Sequence, residues 1–142
     1  SSAASDVYKR QDTNWSVHAM EHELSAFYDL THGIGLAILT PRFLNHILDD
    51  STVDMIRDFG INVFNIRPTN DKFVDAKKSI GALHEFFEQQ MHIPMTLEEV
   101  GIDDEHLEEM AKRSATHAGG TIKGVKQLTS EDILEIYKKS LY

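Results

Sequence analysis

From Val17 onward the apolar residues of this chain return at three- and four-residue steps, a period that calls for helices rather than strands. Val17, Met20, Leu24 and Phe27 predict a helix over 13–28 with one apolar face. Asp29 to Thr31 interrupt it, and the pattern resumes from Gly33 to Asp49 through Ile34, Ala37, Ile38, Phe43, Leu44 and Ile47. Pro41 lies inside this second segment and is expected to kink or restart it, because proline removes a backbone donor and crowds the preceding turn. Ser51 or Thr52 is expected to cap a third helix with the face Met55, Ile56, Phe59 and Val63. After a loop at 65–70 comes the clearest stripe, Phe73, Ala76, Ile80, Leu83, Phe87 and Met91, ended by Ile93-Pro94. A short turn from Thr96 to Val100 should lead to a helix from Asp103 to about Thr116, buried through Leu107, Met110 and Ala111. Gly119-Gly120 and Gly124 form a loop, and Thr129 to Asp132 cap a last helix that buries Ile133, Leu134, Ile136 and Leu141. Only 62–66 offers a short strand. The expected fold class is all-α, a helical bundle rather than a coiled coil, because the stripes are wide and short.

The charge balance narrows the function. Fourteen Lys and Arg against 23 Asp and Glu give a formal charge of −9, which disfavours nucleic acid and anionic membrane surfaces as partners. The acidic runs Glu98-Glu99, Asp103-Asp104-Glu105 and Glu108-Glu109 read as solvated helix faces. Asp103 to Glu105 would open a helix and Lys112-Arg113 would approach its end, as the helix dipole favours. There is no cysteine, hence no disulfide framework and no thiolate chemistry. That suits a reducing cytoplasm, the expected compartment. No apolar run reaches the length of a membrane span. The first residues stand apart: Ser1-Ser2-Ala3-Ala4-Ser5 is of low complexity, and Asp6-Val7-Tyr8-Lys9-Arg10-Gln11 resembles a translated sequencing-library adapter. Residues 1–11 are therefore read as a non-native or disordered leader, and 12–142 as one helical domain.

Eight histidines are present, and three of them, His18, His22 and His32, fall within fifteen residues. His18 and His22 share a helix face one turn apart. A helix end and a turn at 29–31 can fold His32 back beside them. Neutral imidazole suits zinc, iron, copper and nickel. The residues alone leave three readings open: a metal site, a zinc hydrolase using His18, His22 and His32, and a helical interaction module without metal. Zincin hydrolases place the general-base Glu directly after the first His; here Ala19 follows, with the carboxylates at Glu21 and Glu23, which counts against hydrolysis. His46, His84, His92, His106 and His117 share no spacing and read as surface or packed residues. Trp15, Phe27 and Tyr28 either join the core or line a substrate side.

The run His18-Ala19-Met20-Glu21-His22-Glu23-Leu24-Ser25-Ala26-Phe27-Tyr28-Asp29-Leu30-Thr31-His32-Gly33-Ile34-Gly35-Leu36-Ala37 resembles the histidine signature of iron-containing alcohol dehydrogenases. Within that family it is nearest the NADPH-dependent butanol dehydrogenase type, through Glu21-His22-Glu23-Leu24-Ser25-Ala26. The likeness continues in Ile38-Leu39-Thr40-Pro41, Ile93-Pro94-Met95-Thr96-Leu97, Val100-Gly101-Ile102 and Leu128 to Leu134. The resemblance implies the C-terminal α domain of an NAD(P)-dependent oxidoreductase acting on primary alcohols or aldehydes. It implies one divalent metal, usually Fe(II) with Zn(II) as the alternative, with His18 and His32 as two of its ligands. It places His22 beside the nicotinamide and the substrate, where a neutral imidazole can relay the alcohol proton. An Asp, a further His and the dinucleotide-binding domain for NADP(H) or NAD(H) would belong to an N-terminal part absent from this sequence. The chain alone is then expected to bind metal weakly and to be inactive, and the intact enzyme to be a candidate homodimer. Gly33 and Gly35 are expected to let the backbone approach the metal or a neighbouring helix closely.

Overall fold

The computed structural model describes the backbone of residues 13–117 and 126–142 and the side chains of 17–116 and 126–142. The leader assigned to 1–11 and the glycines at 119, 120 and 124 lie outside these residues, as does the side chain of Trp15. Six α-helices are present among the described residues: α1 (Thr13–Tyr28), α2 (His32–Ile47), α3 (Val53–Phe64), α4 (Lys72–Glu85), α5 (Leu107–His117) and α6 (Ser130–Lys139). A π-helical turn, Phe86–Gln90, extends α4, and a 3-10 turn, Glu98–Val100, precedes α5. The all-α expectation holds.

Helix α2 is the hub. It packs against α1, α4 and α6, while α3 pairs with α4, and α5 with α1 and α6. Its composition explains this position: Ala37, Ile38, Leu39, Phe43, Leu44 and Ile47 are all buried, so nearly its whole circumference needs apolar neighbours. Pro41 does not restart it: the helix runs unbroken from His32 to Ile47. Side chains meet carbonyls of the turn before the proline: the Thr40 hydroxyl donates to Leu36 O at 2.6 Å and Arg42 Nη1 to Ile38 O at 3.0 Å. Around α2 the core gathers Val17, Met20 and Leu24 of α1, Ile56 of α3, Ala76 and Ile80 of α4, Leu107 and Met110 of α5, and Ile133 and Ile136 of α6. The buried Tyr137 hydroxyl donates to Met20 O at 2.6 Å and joins α6 to α1. Burial pushes that phenol above its ordinary range.

Several local expectations need correction. Residues 62–66 form no strand: α3 continues to Phe64, and Asn65 ends it in the left-handed conformation with φ 54°, which asparagine adopts more readily than most residues. Thr52 precedes α3 but does not cap it; its hydroxyl turns back to Ile47 O at 2.7 Å. The acidic run at 103–105 lies before α5, which opens at Leu107 with Glu108 and Glu109 in its first turn. Asp103 instead accepts from the Glu105 N–H at 3.0 Å, a local Asx turn. Met91 is 53% exposed and does not complete the stripe of α4, because the five-residue π turn rotates the chain out of register. The cap of α6 is as expected, with Thr129 and Asp132 forming a reciprocal capping box.

Candidate metal centre

Consecutive helices build the site. Val17, Met20 and Leu24 bury one face of α1 completely, and Glu21, one turn from Val17, is drawn into the same interface with no exposed surface. The chain reverses at Asp29, whose φ of 51° is left-handed, and returns as α2. His32, the first residue of α2, thereby comes back alongside α1, beside His18 and Glu21.

The two outer histidines of the sequence motif meet. His18 Nδ1 and His32 Nε2 are 2.9 Å apart, and the rings stack with centroids at 4.8 Å and an interplanar angle of 22°. The other nitrogen of His32, Nδ1, bonds Glu21 Oε2. Glu21 Oε1 in turn is 2.5 Å from the Ser25 hydroxyl. That hydroxyl is also 2.9 Å from Leu30 O, so its single proton serves one acceptor at a time. Nδ1 of His32 thus faces the carboxylate and Nε2 faces His18. His18 is half-buried; desolvation, then the neighbouring His32 ring, lower its pKa, while Glu21 acts in the opposite direction. The net effect favours the neutral imidazole that a metal requires.

His22 does not join this pair. It is exposed and makes no hydrogen bond or ion pair with the described residues. Among the described residues no group of three or more His, Cys, Asp or Glu side chains is arranged to hold a metal. The chemistry of the pair still fits a metal in part. Two nitrogens on one zinc-like ion at a tetrahedral angle lie about 3.4 Å apart, so the present 2.9 Å separation needs only a small opening of the rings. A carboxylate behind the ring of a ligating histidine is also a recurrent feature of metal sites.

Gly35 has the close approach expected of it. A Cβ there would lie 2.6 Å from Glu21 Cγ and Oε1, so the glycine makes room for the carboxylate. Gly33 has nothing within 4 Å of such a Cβ, so no close approach requires glycine there. Phe27 and Tyr28 are half-buried and pack around His106, with Phe27 and His106 centroids 5.4 Å apart. Arg113 lies over Phe27 at 5.5 Å and donates from Nε to Glu23 at 3.0 Å. That places Arg113, four residues before the last residue of α5, in the α1–α5 contact. The Tyr28 hydroxyl is buried without a partner among the described residues. Of the other histidines, His46 bonds Asp132 at 3.0 Å, His84 and His106 lie beside surface carboxylates, His92 is exposed, and the side chain of His117 lies outside the described residues.

Sequence reasoning missed the role of Glu21. Its signal was present: it falls on the apolar face defined by Val17, Met20 and Leu24, where a carboxylate needs a partner, and it stands one helical turn from both His18 and Ser25.

Comparison with known proteins shows the family. The model of the "Fe-containing alcohol dehydrogenase family, C-terminal" matches residues 10–141. NADH-dependent butanol dehydrogenase A of Clostridium acetobutylicum is 47% identical over 130 residues, covering 92% of this chain and 33% of that protein. The NADPH-dependent aldehyde reductase YqhD of Escherichia coli is 30% identical over 105 residues, 73% of this chain and 26% of its own length. The crystal structure of NADH-dependent butanol dehydrogenase A from Thermotoga maritima superposes with a TM-score of 0.80 at 24% identity, covering 90% of this chain and 33% of that one, a likeness of fold. The cofactor-free form of YqhD gives 0.79 at 26% identity over 89% of this chain and 32% of that chain. The chain thus spans about a third of the length of the curated relatives it matches. With the histidine motif, the fold and the family model in agreement over nearly the whole sequence, this chain belongs to the Fe-containing alcohol dehydrogenase family and represents its C-terminal region.

Proposed function

We propose that this chain is the metal-holding part of an NAD(P)H-dependent oxidoreductase for primary alcohols and aldehydes, with His18 and His32 as two of the metal ligands. The observation that carries the reading is the convergence of two imidazole nitrogens, fourteen positions apart in sequence, to 2.9 Å in a member of this family. A bound divalent ion, iron(II) or alternatively zinc(II), supplies Lewis-acid polarisation of the substrate oxygen. His18 contributes a ring kept neutral by its surroundings. His32 contributes a ring whose orientation is set by the carboxylate behind it. His22, exposed one turn along α1, is free to exchange a proton with solvent and is assigned to the nicotinamide and substrate side.

The remaining ligands, an Asp and a His, and most of the nicotinamide site are assigned to an N-terminal dinucleotide-binding domain preceding residue 12. Relatives divide over the cofactor, since the butanol dehydrogenases are described as NADH-dependent and YqhD as NADPH-dependent. Butanol-sized alcohols and their aldehydes are the substrates of choice by the same analogy. No helix among the described residues is long and apolar enough to cross a membrane. A cytoplasmic homodimer is the proposed setting of the intact enzyme. The zinc-hydrolase alternative needs Glu21 free to activate water, whereas Glu21 is buried and already engaged by Ser25 and His32.

The test is a fusion of this chain to the N-terminal domain of a butanol dehydrogenase relative. It should oxidise NADH or NADPH in the presence of butyraldehyde, and lose that activity on His18→Ala or His32→Ala. The 142-residue chain alone should show no turnover. Activity that survives both substitutions would overturn the ligand assignment, and turnover by the chain alone would overturn the division between domains.

A further inference from the structure

We propose that Glu21 is a positioning residue that selects the ring tautomer of His32 and so aims Nε2 of His32, as a lone pair, at the point where His18 Nδ1 converges. The inference rests on the reading of His18 and His32 as metal ligands and deepens it.

A carboxylate this deeply buried is held there for a reason, because an uncompensated buried charge is strongly unfavourable. Glu21 has no exposed surface. Its partners are few and directional: the Ser25 hydroxyl on Oε1 and the His32 ring on Oε2. Ser25 sits four residues later on the same helix and bears on Oε1, leaving Oε2 turned towards α2. Gly35, one turn into α2, is the position at which any side chain would meet the Glu21 stem and carboxylate, at 2.6 Å. The small residue therefore keeps the carboxylate over the start of α2, where His32 stands. The His32 ring is about half exposed. Its orientation comes from the bond to Glu21 and the stack on His18.

The consequence is chemical. A histidine ligand needs one nitrogen unprotonated, and the hydrogen bond at the other nitrogen decides which one that is. Without an acceptor at Nδ1, a neutral imidazole is free to carry its proton on Nε2, and that proton would point at His18 and block the shared position. Ser25 and Gly35 act through Glu21, and Glu21 acts through His32; none of the three is assigned contact with metal or substrate.

The experiment uses the full 142-residue chain with ¹⁵N-labelled histidine, at a pH where imidazole is neutral. Long-range ¹H–¹⁵N spectra report the tautomer of His32 without any metal. Wild type and Glu21→Gln, which keeps an acceptor oxygen, should hold the Nδ1–H form. Glu21→Leu, which removes the buried charge and preserves apolar packing, should shift His32 towards the Nε2–H form. Titration with Co(II) alone should then show affinity reduced about 10- to 100-fold in Glu21→Leu and largely restored in Glu21→Gln. Thermal melts of all variants establish that the helices persist. An unchanged His32 tautomer in a folded Glu21→Leu variant would overturn the proposal. If Co(II) binding is indifferent to His18→Ala and His32→Ala, the ligand assignment fails instead, and the tautomer shift still decides the role of Glu21. If Glu21→Leu does not fold, loss of the Nδ1–H form in Gly35→Ala supports the relay and its retention there overturns it.

Discussion

The α1–α2 and α3–α4 pairs are built with the same device and put it to different ends. Each joins two successive helices, each sets a glycine on one helix against a side chain of the other, and each buries a carboxylate with no exposed surface. In α3–α4 the glycine is Gly60, where a Cβ would overlap the Ser79 side chain, and the carboxylate is Asp75. Asp75 is closed in on itself: the Thr69 hydroxyl at 2.7 Å, the Thr69 N–H at 2.9 Å and Arg57 Nε at 3.1 Å supply its donors. Those bonds, Thr69 foremost, hold its pKa below the usual carboxylate value. In α1–α2 the glycine is Gly35, and the carboxylate, Glu21, has one local hydroxyl and one ring of a half-exposed histidine. Hydrogen bonding satisfied wholly within the fold fixes a loop and a helix start. Hydrogen bonding completed by a surface histidine leaves that histidine's second nitrogen directed at His18.

The sharpest way to break the comparison is to remove the two ends of it in turn. His32→Ala should abolish measurable Zn(II) binding, a loss of about 100-fold or more for a ligand deleted from so small a set. It should also lower the melting temperature, because buried Glu21 keeps only the Ser25 hydroxyl once the ring is gone. Gly60→Ala should act on stability alone. The added methyl meets Ser79 Oγ and Cβ, with the Ser79 Cα at 3.0 Å behind them, so about 1–3 kcal/mol of stability should be lost by denaturant unfolding, with Zn(II) affinity intact.

Acid unfolding sharpens the contrast further. Because the folded-state pKa of Asp75 lies below its unfolded value, its contribution to stability is complete above about pH 4 and is lost as the pH falls through the folded value. Asp75→Asn should therefore destabilise the protein at neutral pH and flatten the acid limb of the stability curve, while the His18 and His32 ring spectra stay as in wild type. The smallest expected effect on stability is that of Gly35→Ala. The methyl meets Cγ and Oε1 of Glu21 at 2.6 Å rather than backbone, and the gain in helix propensity of about 1 kcal/mol offsets part of the clash. Its melting temperature should fall by less than that of Gly60→Ala, while the displaced carboxylate should release His32, measurable as a weakened Zn(II) titration.

Much of this was legible from period and spacing, and the misses share a cause. The stripes of α1, α2 and α6 were readable because burial on one face repeats with the helix. The histidine pair was readable because the break at 29–31 is short enough to return His32 to α1. What one sequence did not disclose were features decided across helices or within one turn. Pro41 reads as a break, yet the side chains of Thr40 and Arg42 meet carbonyls of the preceding turn. The segment 62–66 has strand-like composition, yet α3 is packed along α4 as far as Phe64. The π turn at 86–90 changes the register by one residue without any change in composition. In the sequence Glu21 is weighed only against the hydrolase pattern, because its place against Gly35 is set across two helices.

The most direct measurement is a Zn(II) titration of the chain followed through all histidine ring nitrogens. The account predicts that His18 Nδ1 and His32 Nε2 move together to a single saturable endpoint, with His22, His46, His84, His92, His106 and His117 unmoved. Saturable binding that leaves either His18 or His32 unshifted, or that shifts His22 in place of one of them, would contradict it.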